Sequence, residues 1–128
     1  MLDHVGVTVS DLARSRAFYD DALAPLGIAI VMEVTAEQTG GSGHLGYGSG
    51  GRPYFWVGNG APVTGRLHVA LAAPSRKAVD AFHAAAIAAG GRDNGPPGLR
   101  PHYHPSYYGA FVLDPDGLNV EAVCHAPE

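Results

Sequence analysis

From residue 2 to residue 10 the chain alternates, with Val5, Val7 and Val9 separated by Gly6 and Thr8. A period of two puts the three valines on one face, so the segment predicts a strand with one buried side. The period then lengthens. Leu12, Ser15, Tyr19, Ala22 and Leu26 fall on one helical face, and Gly27 stops the run. Ser10 or Asp11 can cap the helix start, its side-chain oxygen accepting a free backbone N–H. Three shorter apolar runs follow, at 28–34, about 44–48 and 54–57.

The second half repeats this order. Residues 67–73 read as a strand. Pro74-Ser75 open a helix with Val79, Phe82, Ala86 and Ala89 on one face, and Gly90-Gly91 end it. A weak run near 91–93 precedes stronger ones at 108–113 and 119–124, and Arg92, Asp93 and Asn94 read as a turn. Asp114-Pro115-Asp116-Gly117 is a turn between the last two runs, because proline presets φ and glycine accepts a positive one. His4-Val5-Gly6-Val7 resembles His68-Val69-Ala70-Leu71 at an offset of 64, which also maps Phe18 onto Phe82 and Gly27 onto Gly91. Towards the end of each half the offset becomes 66, mapping Gly51 onto Gly117 and Phe55 onto Glu121. The chain is therefore expected to be one α+β domain, 1–128, made of two βαβββ modules at about 1–64 and 65–128. The modules form a curved mixed sheet with helices on its convex face.

Composition narrows the function. The chain's 128 residues suit one domain, and 46% apolar content supports a packed core. The 18 glycines and 10 prolines are spread between apolar runs, so they mark turns and not a low-complexity tract. Net charge is −4 with no Lys/Arg cluster, which argues against nucleic acid. No apolar run approaches the roughly 20 residues that span a bilayer. The first residues lack the basic and apolar regions of a signal peptide, so cytoplasmic residence is the expectation. The one cysteine, Cys124, has no internal partner and reads as core.

Strand parity points to a site. His4, Gly6 and Thr8 share the face opposite the valines, His68 shares one with Ala70 and Ala72, and Glu121 shares one with Val123 and His125. A histidine or glutamate among small neighbours suits a concave surface. Taken singly, each such residue is ordinary strand-end polarity near solvent. Together, two imidazoles and a carboxylate form a set that leaves coordination positions open on Fe(II), Mn(II) or a similar ion.

The segment 100–108 is the most unusual. It places Arg100, His102, Tyr103, His104, Tyr107 and Tyr108 just before a strand. His104 can serve as general acid or base, Tyr107 can donate to a developing oxyanion, and Arg100 can hold a carboxylate or phosphate. His102, Phe55 and Thr8 are expected to line the substrate cavity. The plain alternative is a proline-stiffened surface loop with rings packed on the sheet. Parity assigns Tyr54 and Trp56 to the core and Phe55 to the cavity. Gly40-Gly41-Ser42-Gly43 lacks phosphate-loop spacing and reads as a hairpin loop.

Leu2-Asp3-His4-Val5 with Asp11-Leu12 and Phe18-Tyr19, then Leu67-His68-Val69, and finally Asp114-Pro115-Asp116-Gly117 followed by Glu121, resemble the vicinal oxygen chelate superfamily, also called the glyoxalase/bleomycin resistance/dioxygenase family. The resemblance covers nearly the whole chain, and its last segment is the most specific. It implies a divalent metal (Fe, Mn, Ni or Zn) in a cup between modules. The ligands carried over by position are His4, about Phe55, His68 and Glu121, and the second of these is apolar here. That departure counts against glyoxalase I, which usually has a carboxylate there. Three ligands look more like extradiol dioxygenases or fosfomycin-resistance thiol transferases. The resemblance further implies a homodimer completing the cup. The expected function is a metal-dependent lyase, isomerase or extradiol dioxygenase acting on a small oxygen-chelating substrate. The alternatives are a metal-free binding or resistance protein on the same fold and a thiol transferase.

Overall fold

Each half of the chain closes its own four-stranded mixed sheet. The computed structural model describes all 128 residues, Met1 to Glu128. The first module comprises β1 (Val5–Val9), α1 (Leu12–Leu23) extended by a 3₁₀ turn (Ala24–Leu26), β2 (Ala29–Val34), α2 (Ala36–Thr39), β3 (His44–Ser49) and β4 (Arg52–Asn59). The second comprises β5 (His68–Ala72), α3 (Arg76–Ala88), β6 (Arg92–Leu99), β7 (Tyr108–Leu113) and β8 (Asn119–Cys124). The sheet orders are β1-β4-β3-β2 and β5-β8-β7-β6. β1 pairs with β4, and β5 with β8, in parallel, while the other neighbours are antiparallel. The two four-stranded mixed sheets and their helices make the α+β pair of βαβββ modules that the periodicities predict.

The helices begin and end as their sequences dictate. Asp11, not Ser10, caps α1 by accepting from Arg14 N at 3.1 Å, and Ser75 caps α3 by accepting from Ala78 N at 3.1 Å. Gly27 closes the first helical segment at φ 76°, a backbone state that costs a side-chain-bearing residue about 1–2 kcal/mol. The short α2 has no apolar period to announce it. It is held by a capping box between Thr35 and Gln38.

One core runs through both modules. The buried residues of α1 are Ser15, Phe18, Tyr19, Ala22 and Leu23, and those of α3 are Ala78, Val79, Phe82 and Ala86. The two helices pack against each other, and α3 also lies across β6, β7 and β8. Phe55 corrects the parity assignment. It is fully buried in this core, edge-on to Tyr19 with ring centroids 5.3 Å apart, and lines no cavity. Its neighbours Tyr54 and Trp56 are half-buried on the opposite face. The reason is register. Phe55 pairs with Val5 and Trp56 with Gly6, while Val120 pairs with Val69 and Glu121 with Ala70. The module-one counterpart of Glu121 is therefore Trp56, one residue from the expected position.

The turn at 114–117 does more than reverse the chain. Asp114 is buried, and its carboxylate accepts from Asp116 N at 2.9 Å, Leu118 N at 2.8 Å and the Tyr19 hydroxyl at 2.6 Å. Asp116 accepts from Ser10 N at 3.0 Å and from Arg14 Nη2 at 3.1 Å. A turn of the second module thus holds both ends of the β1–α1 connection in the first.

β6 also departs from expectation. The weak run and turn predicted at 91–94 are the start of an eight-residue strand containing Gly95-Pro96-Pro97-Gly98. Its register breaks between Asp93 and Gly95 and again between Gly95 and Gly98, the second break falling at the two prolines, which have no N–H for the ladder.

Candidate active site

Glu121 stands in the middle of β8, between Ala70 of β5 and Phe111 of β7. Alternation turns it away from the core formed by Val120, Ala122 and Cys124, yet it has no solvent exposure. Removing a carboxylate from water costs several kcal/mol unless it is paired. Two partners meet it here. His68 Nε2 lies 2.8 Å from Oε1, and the Tyr107 hydroxyl donates to Oε2. Gly109 makes this possible: a Cβ there would come within 3.0 Å of Glu121 Oε2 and 3.1 Å of the Tyr107 ring. Burial, together with the bond to Glu121, holds the Tyr107 hydroxyl well above its ordinary pKa. At neutral pH this phenol is a proton donor and not a phenolate.

Aromatic rings wall the space above the pair. A cleft of about 420 Å³ is lined by His68, Tyr103, Tyr107, Phe111 and Glu121. The His68 and Phe111 ring centroids are 5.7 Å apart, and those of Tyr103 and Tyr107 are 5.1 Å apart. Sequence reasoning passed over Phe111, although alternation in β7 puts it with Gly109 on the Glu121 face. Tyr103 belongs to the unusual 100–108 segment but carries no assigned role there, since no strand period reaches it.

The remaining predicted residues lie around this centre. His4 precedes β1, is exposed, and has Nδ1 2.7 Å from Asp3 Oδ1. It shares a neighbouring cleft of about 380 Å³ with His68 and Tyr54. The chain arranges no three His, Cys, Asp or Glu side chains together for an ion, so His68 and Glu121 meet while His4 stands apart. His104 is exposed; its Nδ1 accepts from Ser106 N at 3.1 Å and its ring lies 5.7 Å from that of His125. His102 is exposed and packs on Tyr103 at 4.1 Å. The Thr8 hydroxyl is engaged with the Ala61 carbonyl, tying down the β4–β5 connection. Arg100 lies over Phe111, its guanidinium carbon 5.6 Å from the ring centroid. The largest cleft, about 560 Å³, lies elsewhere and holds none of these residues. Two of its carboxylates are already used, Asp11 in capping α1 and Glu33 in binding Arg16.

Two donors that could hold a divalent ion meet here. An imidazole nitrogen and a carboxylate oxygen 2.8 Å apart match two adjacent ligands of one ion, which sit about 3 Å apart when each bond is about 2.1 Å. At the equivalent position of the first module, Trp56 offers no ligand atom. Its indole lies over Gly46, where a Cβ would come within 2.9 Å of the ring.

The family model for the Glyoxalase/Bleomycin resistance protein/Dioxygenase superfamily matches residues 1–122. The chain belongs to this superfamily. A glyoxalase/bleomycin resistance protein from Albidiferax ferrireducens is 34% identical, with 98% of each chain covered and a TM-score of 0.71. Two more distant structures share the fold. A glyoxalase I mutant from Zea mays has 22% identity and a TM-score of 0.68, covering 95% of this chain and 46% of the maize one. A mutant of the fosfomycin resistance protein FosX from Listeria monocytogenes, complexed with Mn(II) and 1S,2S-dihydroxypropylphosphonic acid, has 18% identity and a TM-score of 0.69 over 96% and 90% of the two chains. No curated protein matches the sequence. No helix of this superfamily member is long and apolar enough to cross a membrane.

Proposed function

We propose that the chain is a divalent-metal-dependent enzyme acting on a small substrate with adjacent oxygens, of the lyase, isomerase or extradiol dioxygenase type. The observation that carries this reading is the buried Glu121 carboxylate facing His68 Nε2 at the foot of an aromatic cleft. His68 and Glu121 would hold the ion, with His4 as third ligand from the adjoining cleft, either within the chain or across a homodimer. The FosX structure holding Mn(II) supports a metal on this fold.

When bound, the ion supplies Lewis acidity to the substrate oxygens. The chain's own residues do the rest. Tyr107 keeps its proton at neutral pH and donates a hydrogen bond to Glu121 Oε2; with that carboxylate on the ion, the freed hydroxyl would donate to an oxyanion developing beside it. Phe111 and Tyr103 wall the space available to the substrate. This role falls to Tyr107 in preference to His104, whose ring lies outside the cleft lining.

The test is Mn(II) titration of protein purified without a histidine tag, followed by metal analysis. One ion should bind, and His68→Ala and Glu121→Gln should each weaken binding by at least about tenfold, the removal of one charge-bearing or imidazole ligand. Sub-stoichiometric metal together with no change in His68→Ala would end the proposal.

A second reading has its own support. His68, Glu121 and Tyr107 already satisfy one another, and Trp56 leaves one corner without a ligand. These features fit a metal-free binding or resistance protein. That protein would bind its ligand equally well after chelator treatment.

A further inference from the structure

Two arginines are half-buried, Arg76 and Arg100. Arg76 reaches the Glu128 carboxylate at 3.4 Å. Arg100 makes no ion pair; its Nη2 donates to the Pro96 carbonyl at 2.7 Å, and its remaining N–H groups meet no carboxylate. A partly desolvated cation without a counter-ion is costly, and an anionic ligand relieves that cost.

The chain builds a seat for this cation. Pro96 and Pro97 interrupt the β6 ladder, and the bulge leaves the Pro96 carbonyl to accept from the guanidinium. Gly95 and Gly98 clear the space, since a Cβ at either would lie 3.4 or 3.1 Å from a guanidinium nitrogen. Gly95 pairs with Phe111, and Phe111 pairs with Glu121. His68, Glu121, Phe111 and the Arg100 seat therefore follow one another across a single sheet face, on β5, β8, β7 and β6. Two strand spacings of about 4.8 Å separate the Glu121 strand from the Arg100 strand, which is room for one aromatic ring with polar groups at both ends.

We propose that Arg100, which lies over Phe111 beside the residues that line the cleft, is the anion-recognising residue of this site. Its ligand is a small flat molecule with adjacent oxygens at one end and a carboxylate or phosphonate at the other. The oxygens face His68 and Glu121, the ring packs in the cleft beside Tyr103 and Phe111, and the anion pairs with the guanidinium. The oxygen end rests on the metal-dependent reading above; the anion end stands on Arg100 alone.

The test is calorimetric titration of the full chain, Mn(II)-loaded and metal-free, with catechol, 3,4-dihydroxybenzoate and 3,4-dihydroxyphenylphosphonate. In the unsubstituted chain one of the two acids should bind about ten- to a hundredfold tighter than catechol, the range for a hydrogen-bonded charged group. Whichever acid is favoured identifies the anion. Arg100→Ala and Arg100→Gln should abolish that preference and leave catechol affinity and metal content unchanged. Arg100→Gln keeps a donor for the Pro96 carbonyl, so it separates charge from packing. Equal affinity for all three probes, a preference that survives both substitutions, or no binding of any probe overturns the proposal. Loss of the metal reading looks different. The chain then retains no Mn(II), and the acid preference, present or absent in the metal-free chain, still decides the role of Arg100.

Discussion

Replacing Asp114 with alanine should be among the most damaging single changes in this chain, although Asp114 is outside the candidate site. Its carboxylate collects two backbone N–H groups and the Tyr19 hydroxyl, which is itself fully buried. Alanine strands all three donors. Each buried unpaired donor costs about 1–3 kcal/mol, and partial hydration at the turn lowers the sum, so a loss of about 3–5 kcal/mol is expected. That is a large part of the roughly 5–15 kcal/mol that holds a domain of this kind folded. With a urea slope of about 2 kcal/mol per molar, the unfolding midpoint should fall by about 2 M. Tyr19→Phe removes one donor and leaves the two amide bonds, and should cost about 1–2 kcal/mol. If the bond joins the modules as described, the two substitutions are not additive. Their coupling should be about 1 kcal/mol or more in a double-mutant cycle. A loss below about 1 kcal/mol for Asp114→Ala, or additive effects in the cycle, would refute the interlock argument.

Three further outcomes can be checked. Phe55→Ala should destabilise by about 3–5 kcal/mol in urea unfolding, the cost of a large core cavity, and leave Mn(II) affinity of the folded protein unchanged; a selective loss of metal or ligand binding would return Phe55 to the cavity. Gly109→Ala should push the Glu121 carboxylate or the Tyr107 ring by a few tenths of an ångström, so Mn(II) should bind more weakly while the unfolding midpoint moves little; unchanged affinity would show that the carboxylate has slack. Tyr19 and Tyr47 have pKa values raised by burial and then by Asp114 and Asp20 respectively. The unfolded chain releases these protons near pH 10 and the folded chain keeps them. Stability is therefore fully present below about pH 10 and is lost as pH rises beyond it. Phenolate absorbance from these two rings should appear together with the unfolding transition, and appearance while the fold is intact would contradict their burial.

Much of this architecture could be read from the residue pattern. Val5, Val7 and Val9 announce β1 by period alone, and Val79, Phe82 and Ala86 announce the buried face of α3. Parity sets His68 and Glu121 apart from the core-facing residues of their strands, and the structure brings the two side chains together. Phe55 was misplaced for a definite reason. Repeat alignment used Gly51 and Gly117 as equivalent turn residues. Gly50 and Gly51 both have positive φ and close a two-residue hairpin between Ser49 and Arg52. The corresponding turn spans Asp114 to Leu118, between Leu113 and Asn119. Turns of different length cannot set the register of the strands that follow, and an error of one residue inverts every side chain. The Arg100 seat was out of reach for another reason. It depends on where two prolines free a carbonyl, which is a property of the β6–β7 pairing and not of any local period.

The same bulge has a consequence for what the protein does to itself at high concentration. β6 is the edge of its sheet, and a foreign strand extending that sheet would need a continuous row of N–H groups. Pro96 and Pro97 withhold two of them. β2, the edge of the other sheet, carries no proline and exposes Val31 and Met32. The two otherwise matching modules therefore differ in their tendency to recruit neighbours. Between these two edges, strand-to-strand misassembly of partly opened molecules should begin at β2 and not at β6, and a charged residue in place of Val31 would be the economical protection.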